Sequence, residues 1–146
     1  MSARPLAPSA RLVATAPVAA ALSGGAMLRV AAWAGAAIAA ALALGVGRPE
    51  LLLASDPELA RLLRGMAVIK GGLVLLAMAL LTWRLGQPLP SRLAAVYLGS
   101  VWLAAAASVL IWQLSFIGLA AVAFHGAELA FLAAAWMDGR GRRPRA

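Results

Sequence analysis

The chain has 146 residues, of which 64% are hydrophobic and 12% charged, against roughly 45–50% and 25% in an ordinary soluble domain. A soluble domain of about 150 residues buries only roughly 70% of its unfolded surface, so this composition excludes an ordinary water-soluble fold and points to lipid as the solvent. The formal charge of +8 arises from 13 Lys and Arg against 5 Asp and Glu. These basic residues gather at the ends of apolar runs, which favours topology signals and anionic lipid contacts over nucleic-acid binding.

In chain order, residues 1–27 come first. Arg4 and Arg11 followed by LVATAPVAAALSGGA loosely imitate a signal peptide, and the lack of an acidic residue before Glu50 also fits a mitochondrial transit peptide. Pro17 and the weak apolar content favour a basic tail that is disordered or lies on the membrane surface. Residues 28–138 then form the expected transmembrane domain. Its four apolar runs, about 30–47, 66–83, 93–112 and 116–136, match the roughly 17–25 helical residues that a hydrocarbon core requires. None shows the alternation of a barrel strand.

The loop from Arg48 to Gly65 holds Ser55-Asp56-Pro57-Glu58, a capping box with Pro in the first turn, so a helix is expected to start there and run into the second span. In RLGQPLPSR, Pro88 and Pro90 interrupt the helix and Ser91 is the expected cap of the third. Only Gln113, Leu114 and Ser115 separate the last two runs, a link short enough to demand a helical hairpin. Residues 139–146 form a basic tail. The expected fold is an all-α integral membrane protein with four helices in an antiparallel bundle.

Counting Lys and Arg sets the orientation. Nine (Arg4, Arg11, Arg29, Arg84, Arg92, Arg140, Arg142, Arg143 and Arg145) flank one side and three (Arg48, Arg61 and Arg64) the other, which places both termini in the cytoplasm. Arg84, Arg92, Arg140, Arg142, Arg143 and Arg145 are the expected head-group and topology residues. Trp33, Trp83 and Trp136 fall near one boundary and Trp112 near the other, as interfacial belts do, whereas Trp102 sits mid-span. The Ala- and Arg-rich usage points to a bacterial cytoplasmic membrane, with the mitochondrial inner membrane as the alternative.

Helices in lipid associate through small residues. Ala32, Ala36 and Ala40, beside Gly35 and Ala39, supply one such face, and Ser100, Ala104 and Ser108 another. Packing within the chain is favoured over a homodimer face. Ionisable side chains inside the bilayer are costly and mark candidate sites. His125 and Glu128 share a face of the fourth span, and Tyr97, Ser100 and Ser108 a face of the third. Depth counting at about 1.5 Å per residue puts Glu128 and Ser100 both about 18 Å from the outer ends. The expected cluster is Tyr97, Ser100, His125 and Glu128. Lys70, at about 6 Å depth, is expected apart from it, snorkelling outward along its own helix.

With one His and no Cys, the chain has neither a hydrolytic triad nor the three or four ligands of a metal site, so no catalytic residue or resident cofactor is expected. Haem b could use His125 only with a second ligand from another chain. Small four-helix multidrug exporters resemble the chain in size and in having a single intramembrane carboxylate. Their carboxylate lies on the first helix, where this chain has none, so their function is not carried over. The leading expectation is a non-catalytic subunit or assembly partner of a larger membrane complex, in contact with lipid and either another membrane protein or further copies. The alternatives are a small oligomeric proton-coupled carrier or channel using Glu128 and His125, and a haem- or quinone-binding anchor.

Overall fold

A computed structural model describes the backbone of residues 16–46 and 56–141 and the side chains of 24–46 and 56–141. All its regular structure is helical: α1 (Ala16–Val46), α2 (Pro57–Arg84), α3 (Ser91–Trp112) and α4 (Ile117–Gly141). Each of the four is long and apolar enough to cross a membrane. The chain is thus an all-helical protein with the architecture of a multi-pass membrane protein.

Helix ends follow local chemistry, with three departures from expectation. Helix α1 begins at Ala16, so the second half of the expected surface or disordered tail continues the first span. Ala is the best helix former, and Pro17 lies in the first turn, where its missing N–H costs little. Residues 1–15 and 142–146, including Arg142, Arg143 and Arg145, lie outside the described residues. Helix α2 starts as foreseen before the second apolar run, but its cap is Asp56, in extended conformation, whose Oδ1 accepts from the Leu59 N–H at 3.0 Å. Ser91 does not cap α3. Pro90 occupies that position without a side-chain bond, its carbonyl accepting from Ala94 at 3.0 Å.

The link between α3 and α4 uses left-handed backbone at two non-glycine residues, Leu114 (φ 60°) and Phe116 (φ 49°). A residue with a Cβ holds that conformation at a cost of about 1–2 kcal/mol. Burial of Leu114, and turn bonds from Leu114 N to Ile111 O (3.0 Å) and Ser115 N to Leu110 O (2.9 Å), oppose it.

The helices gather around α3. It packs against α1, α2 and α4, whereas α1 and α2 meet only briefly and the Cα atoms of α2 and α4 nowhere approach within 8 Å. Accordingly 56% of the α3 span is buried, against 17–22% in the others. Small residues permit this: Ala94, Ala104 and Ala107 on α3, Ala32 on α1, and Ala120, Ala127 and Ala134 on α4 are all buried. Between them sit Met78, Leu81, Val101 and Phe124, the large side chains of the core.

The mid-span Trp102 is explained by α1. Its indole Nε1–H donates to the Ala32 carbonyl at 3.2 Å, and its ring fills the space beside Gly35, where a Cβ would lie 2.2 Å from Cε2. Nearer the start of α1, Arg29 Nε donates to the Thr82 carbonyl (3.0 Å) and Trp33 Nε1 to the Thr82 hydroxyl (3.1 Å). At the other end of α1, Gln113 Nε2 donates to the Leu44 carbonyl at 3.1 Å.

Candidate functional site

Because α2 and α4 both lean on α3 without touching each other's backbone, a lateral cleft of about 480 Å³ opens between them. Its floor is Ser100, Val101 and Ala104 of α3. One wall is Leu73, Val74, Leu76, Ala77 and Leu80 of α2, and the other runs from Phe124 to Leu132 on α4 and carries His125 and Glu128.

His125 Nδ1 and Glu128 Oε2 lie 3.1 Å apart, as their three-residue spacing on α4 allows. The pair is not sealed in the core, for its side chains are 63% and 36% exposed. Ser100 belongs to the same cleft, but its hydroxyl donates to the Val96 carbonyl of its own helix at 2.7 Å, which leaves the oxygen as an acceptor.

Tyr97 is turned elsewhere. It is buried, its ring stacks edge-on to Phe131 at 5.1 Å, and it lines a second, smaller cavity beside Arg84 and Asp138. The four residues expected to cluster are therefore divided between two adjoining cavities.

Lys70 corrects the expectation of outward snorkelling. It is buried, with its ammonium 3.8 Å from the centroid of the Phe124 ring, a cation–π geometry. Depth counted from Met66 makes Lys70 shallow, but α2 already runs from Pro57, as expected, and Lys70 sits near the helix midpoint. It also falls on the inward stripe of Ala67, Lys70, Val74, Met78 and Leu81, whose spacing of three and four residues makes one helix face. Phe124 precedes His125, so the cation meets the end of the cleft instead of standing apart from it.

Arg84 corrects a second expectation. It is the next residue on that stripe and is buried instead of facing head groups. Its Nε and Nη2 bond Asp138 Oδ2 and Oδ1 at 2.5 and 2.7 Å, a bidentate, charge-assisted pair. The guanidinium also holds the carbonyls of Gln87 (3.3 Å) and Pro88 (3.1 Å). Asp138 is not among the site residues that the sequence singles out. The available signal is that Arg84 and Asp138 lie at the C-terminal ends of the second and fourth helices, which alternating crossings would bring to one depth with opposite charges. Of the other expected head-group residues, Arg92 is exposed, and Arg140 is exposed with its guanidinium 3.5 Å from the Trp136 ring centroid.

Two side-chain contacts thus bridge α2 and α4, Lys70 to Phe124 at one end of the cleft and Arg84 to Asp138 toward the other. Among the described residues no group of three or more His, Cys, Asp and Glu is placed to hold a metal ion. Searches of known protein families, curated proteins and solved structures give no match to the chain.

Proposed function

We propose that this chain is a non-catalytic, membrane-embedded subunit or assembly partner of a larger membrane complex. One observation carries the reading: outside its four helices the described chain consists of short links, residues 85–90 and 113–116, plus Asp56. Several polar side chains join one helix to another, as in Arg84 to Asp138, Arg29 and Trp33 to Thr82, and Trp102 to Ala32. The exposed apolar outer faces of α1, α2 and α4 offer long surfaces to other helices or to lipid.

In this reading successive helices cross in opposite directions, both termini are cytoplasmic and the membrane is a bacterial cytoplasmic one. The contacts support the alternating directions alone: Arg29 meets the end of α2, whose Arg84 meets the end of α4, while Leu44 meets Gln113 and Arg64 stacks on Trp112. The test is native mass spectrometry of the chain extracted in mild detergent from its own membrane. Masses containing a different polypeptide are expected, and a chain recovered only alone or with its own copies would overturn the reading. A reporter active only after export, fused after Ala146, is expected to stay silent, and activity there would reverse the topology.

A proton-coupled carrier is the second reading, favoured by the 3.1 Å contact of His125 and Glu128 in an open cleft. It requires Glu128→Gln to abolish proton flux through liposomes, and wild-type flux in that variant would remove it.

A further inference from the structure

We infer that the cleft between α2 and α4 binds a membrane-soluble amphiphile whose uncharged head carries a carbonyl oxygen, with that oxygen accepting a hydrogen bond from His125 Nε2. This goes beyond the subunit reading and does not depend on it.

Three features of the cleft select this class. The first is size and shape. A volume of about 480 Å³ falls within the roughly 300–1,000 Å³ of small-molecule sites. Leu73 to Leu80, the extent of its α2 wall, spans about 10 Å at 1.5 Å per residue. Beyond that length the Lys70 ammonium on Phe124 and the Arg84–Asp138 pair bridge the two walls. A slot bridged at both ends cannot receive a membrane-crossing helix, but its open side admits a molecule moving laterally out of the lipid.

The second feature is the wall chemistry. Leu73, Leu76, Leu80, Leu129 and Leu132 line it and suit an alkyl or isoprenoid tail, so the selective contact falls to the few polar groups.

The third is the proton arrangement of the pair. His125 uses Nδ1 on Glu128, and Nε2 has no partner among the described residues. The arrangements in which the pair carries no net charge are the ones that put a ring proton on Nε2. Two arrangements meet that condition, carboxylate with imidazolium and carboxylic acid with neutral imidazole. In the second, the acid donates to Nδ1 and the ring proton stands on Nε2. Both present an Nε2–H donor, whose fitting partner is a neutral acceptor. Apart from that pair no residue lining the cleft is ionisable, the Lys70 ammonium being turned onto the Phe124 ring at its end, so a charged head would meet no separate counter-ion along the walls.

The test uses the purified full chain in nanodiscs, with thermal unfolding followed while a probe is titrated into the lipid. The probes are decyl-benzoquinone, 2-dodecanone and, as a carbonyl-free control, dodecane. At least one carbonyl probe is expected to bind roughly tenfold more tightly than dodecane, and which one does so separates a quinone from an aliphatic carbonyl source. Ala77→Trp, which fills the slot, is expected to abolish the stabilisation, and His125→Phe to bring carbonyl probe and hydrocarbon to the same affinity. Equal binding of all three probes by the unaltered chain, which requires no variant to fold, overturns the inference. So does unchanged carbonyl binding in a folded Ala77→Trp protein.

Discussion

Replacing Gly35 by Ala adds one methyl group where α1 meets α3, and its cost can be worked from the geometry. The new Cβ would stand 2.2, 2.4 and 2.5 Å from Cε2, Nε1 and Cζ2 of Trp102. Carbon atoms pack at about 3.5–4.0 Å, so the helices must part by more than about 1 Å or the indole must leave its place. Overpacking of this kind costs about 1–3 kcal/mol, and losing the bond from Trp102 to the Ala32 carbonyl adds about 1 kcal/mol. The gain in helix propensity returns about 1 kcal/mol, leaving a net destabilisation of about 1–3 kcal/mol. The assay is equilibrium unfolding in mixed micelles over a denaturing-detergent titration. Gly71 and Gly99 serve as controls, since a Cβ at either meets nothing within 4 Å; alanine there is expected to leave stability unchanged or raise it by up to about 1 kcal/mol. In a Trp102→Ala background the obstruction is gone, and Gly35→Ala is expected to change sign and stabilise. If Gly35→Ala behaves like the two controls, or if its effect is the same with and without the indole, the close approach of α1 to α3 at this point is refuted.

Three further outcomes follow from the same packing. Asp138→Asn leaves the Arg84 guanidinium buried without its counter-charge and is expected to cost about 3 kcal/mol in the same titration, with Arg84→Leu/Asp138→Leu losing less than the two single changes together. Lys70→Met keeps the length of the side chain and removes a cation from the apolar interior; a stability equal to or about 1 kcal/mol above the parent is expected, and a loss of 2 kcal/mol or more would mean that the contact with Phe124 outweighs the burial of charge. Asp56→Ala removes the cap of α2 and is expected to cost about 1 kcal/mol, visible as faster amide exchange at Leu59 and Ala60.

The candidate site was only partly legible before the fold was known. The three-residue step from His125 to Glu128 announces their contact, because neighbours on a helix are set by its own geometry. Ser100 in the same cleft is compatible with depth counting, since two residues at one level on adjacent helices need only correct rotation to face each other. Tyr97 and Lys70 show where counting stops. Tyr97 shares a face with Ser100, yet one helical turn moves it into the neighbouring cavity with Arg84 and Asp138. Distance from the membrane surface points Lys70 outward, while the apolar stripe from Ala67 to Leu81 that carries it turns it inward.

From the sequence alone come the properties that depend on single segments. The number of helices follows from the apolar runs, the α2 start from its Pro and acidic residues, and the breaks from Pro88, Pro90 and the short link at 113–115. The arrangement around α3, the slot beside Gly35, the inward turn of Lys70, the Arg84–Asp138 pair and the cleft itself came only with the tertiary structure. Each depends on how far every helix is rotated about its own axis. In lipid no general hydrophobic force sets that angle, because tails and side chains are equally apolar, and the close fit of small residues decides it instead.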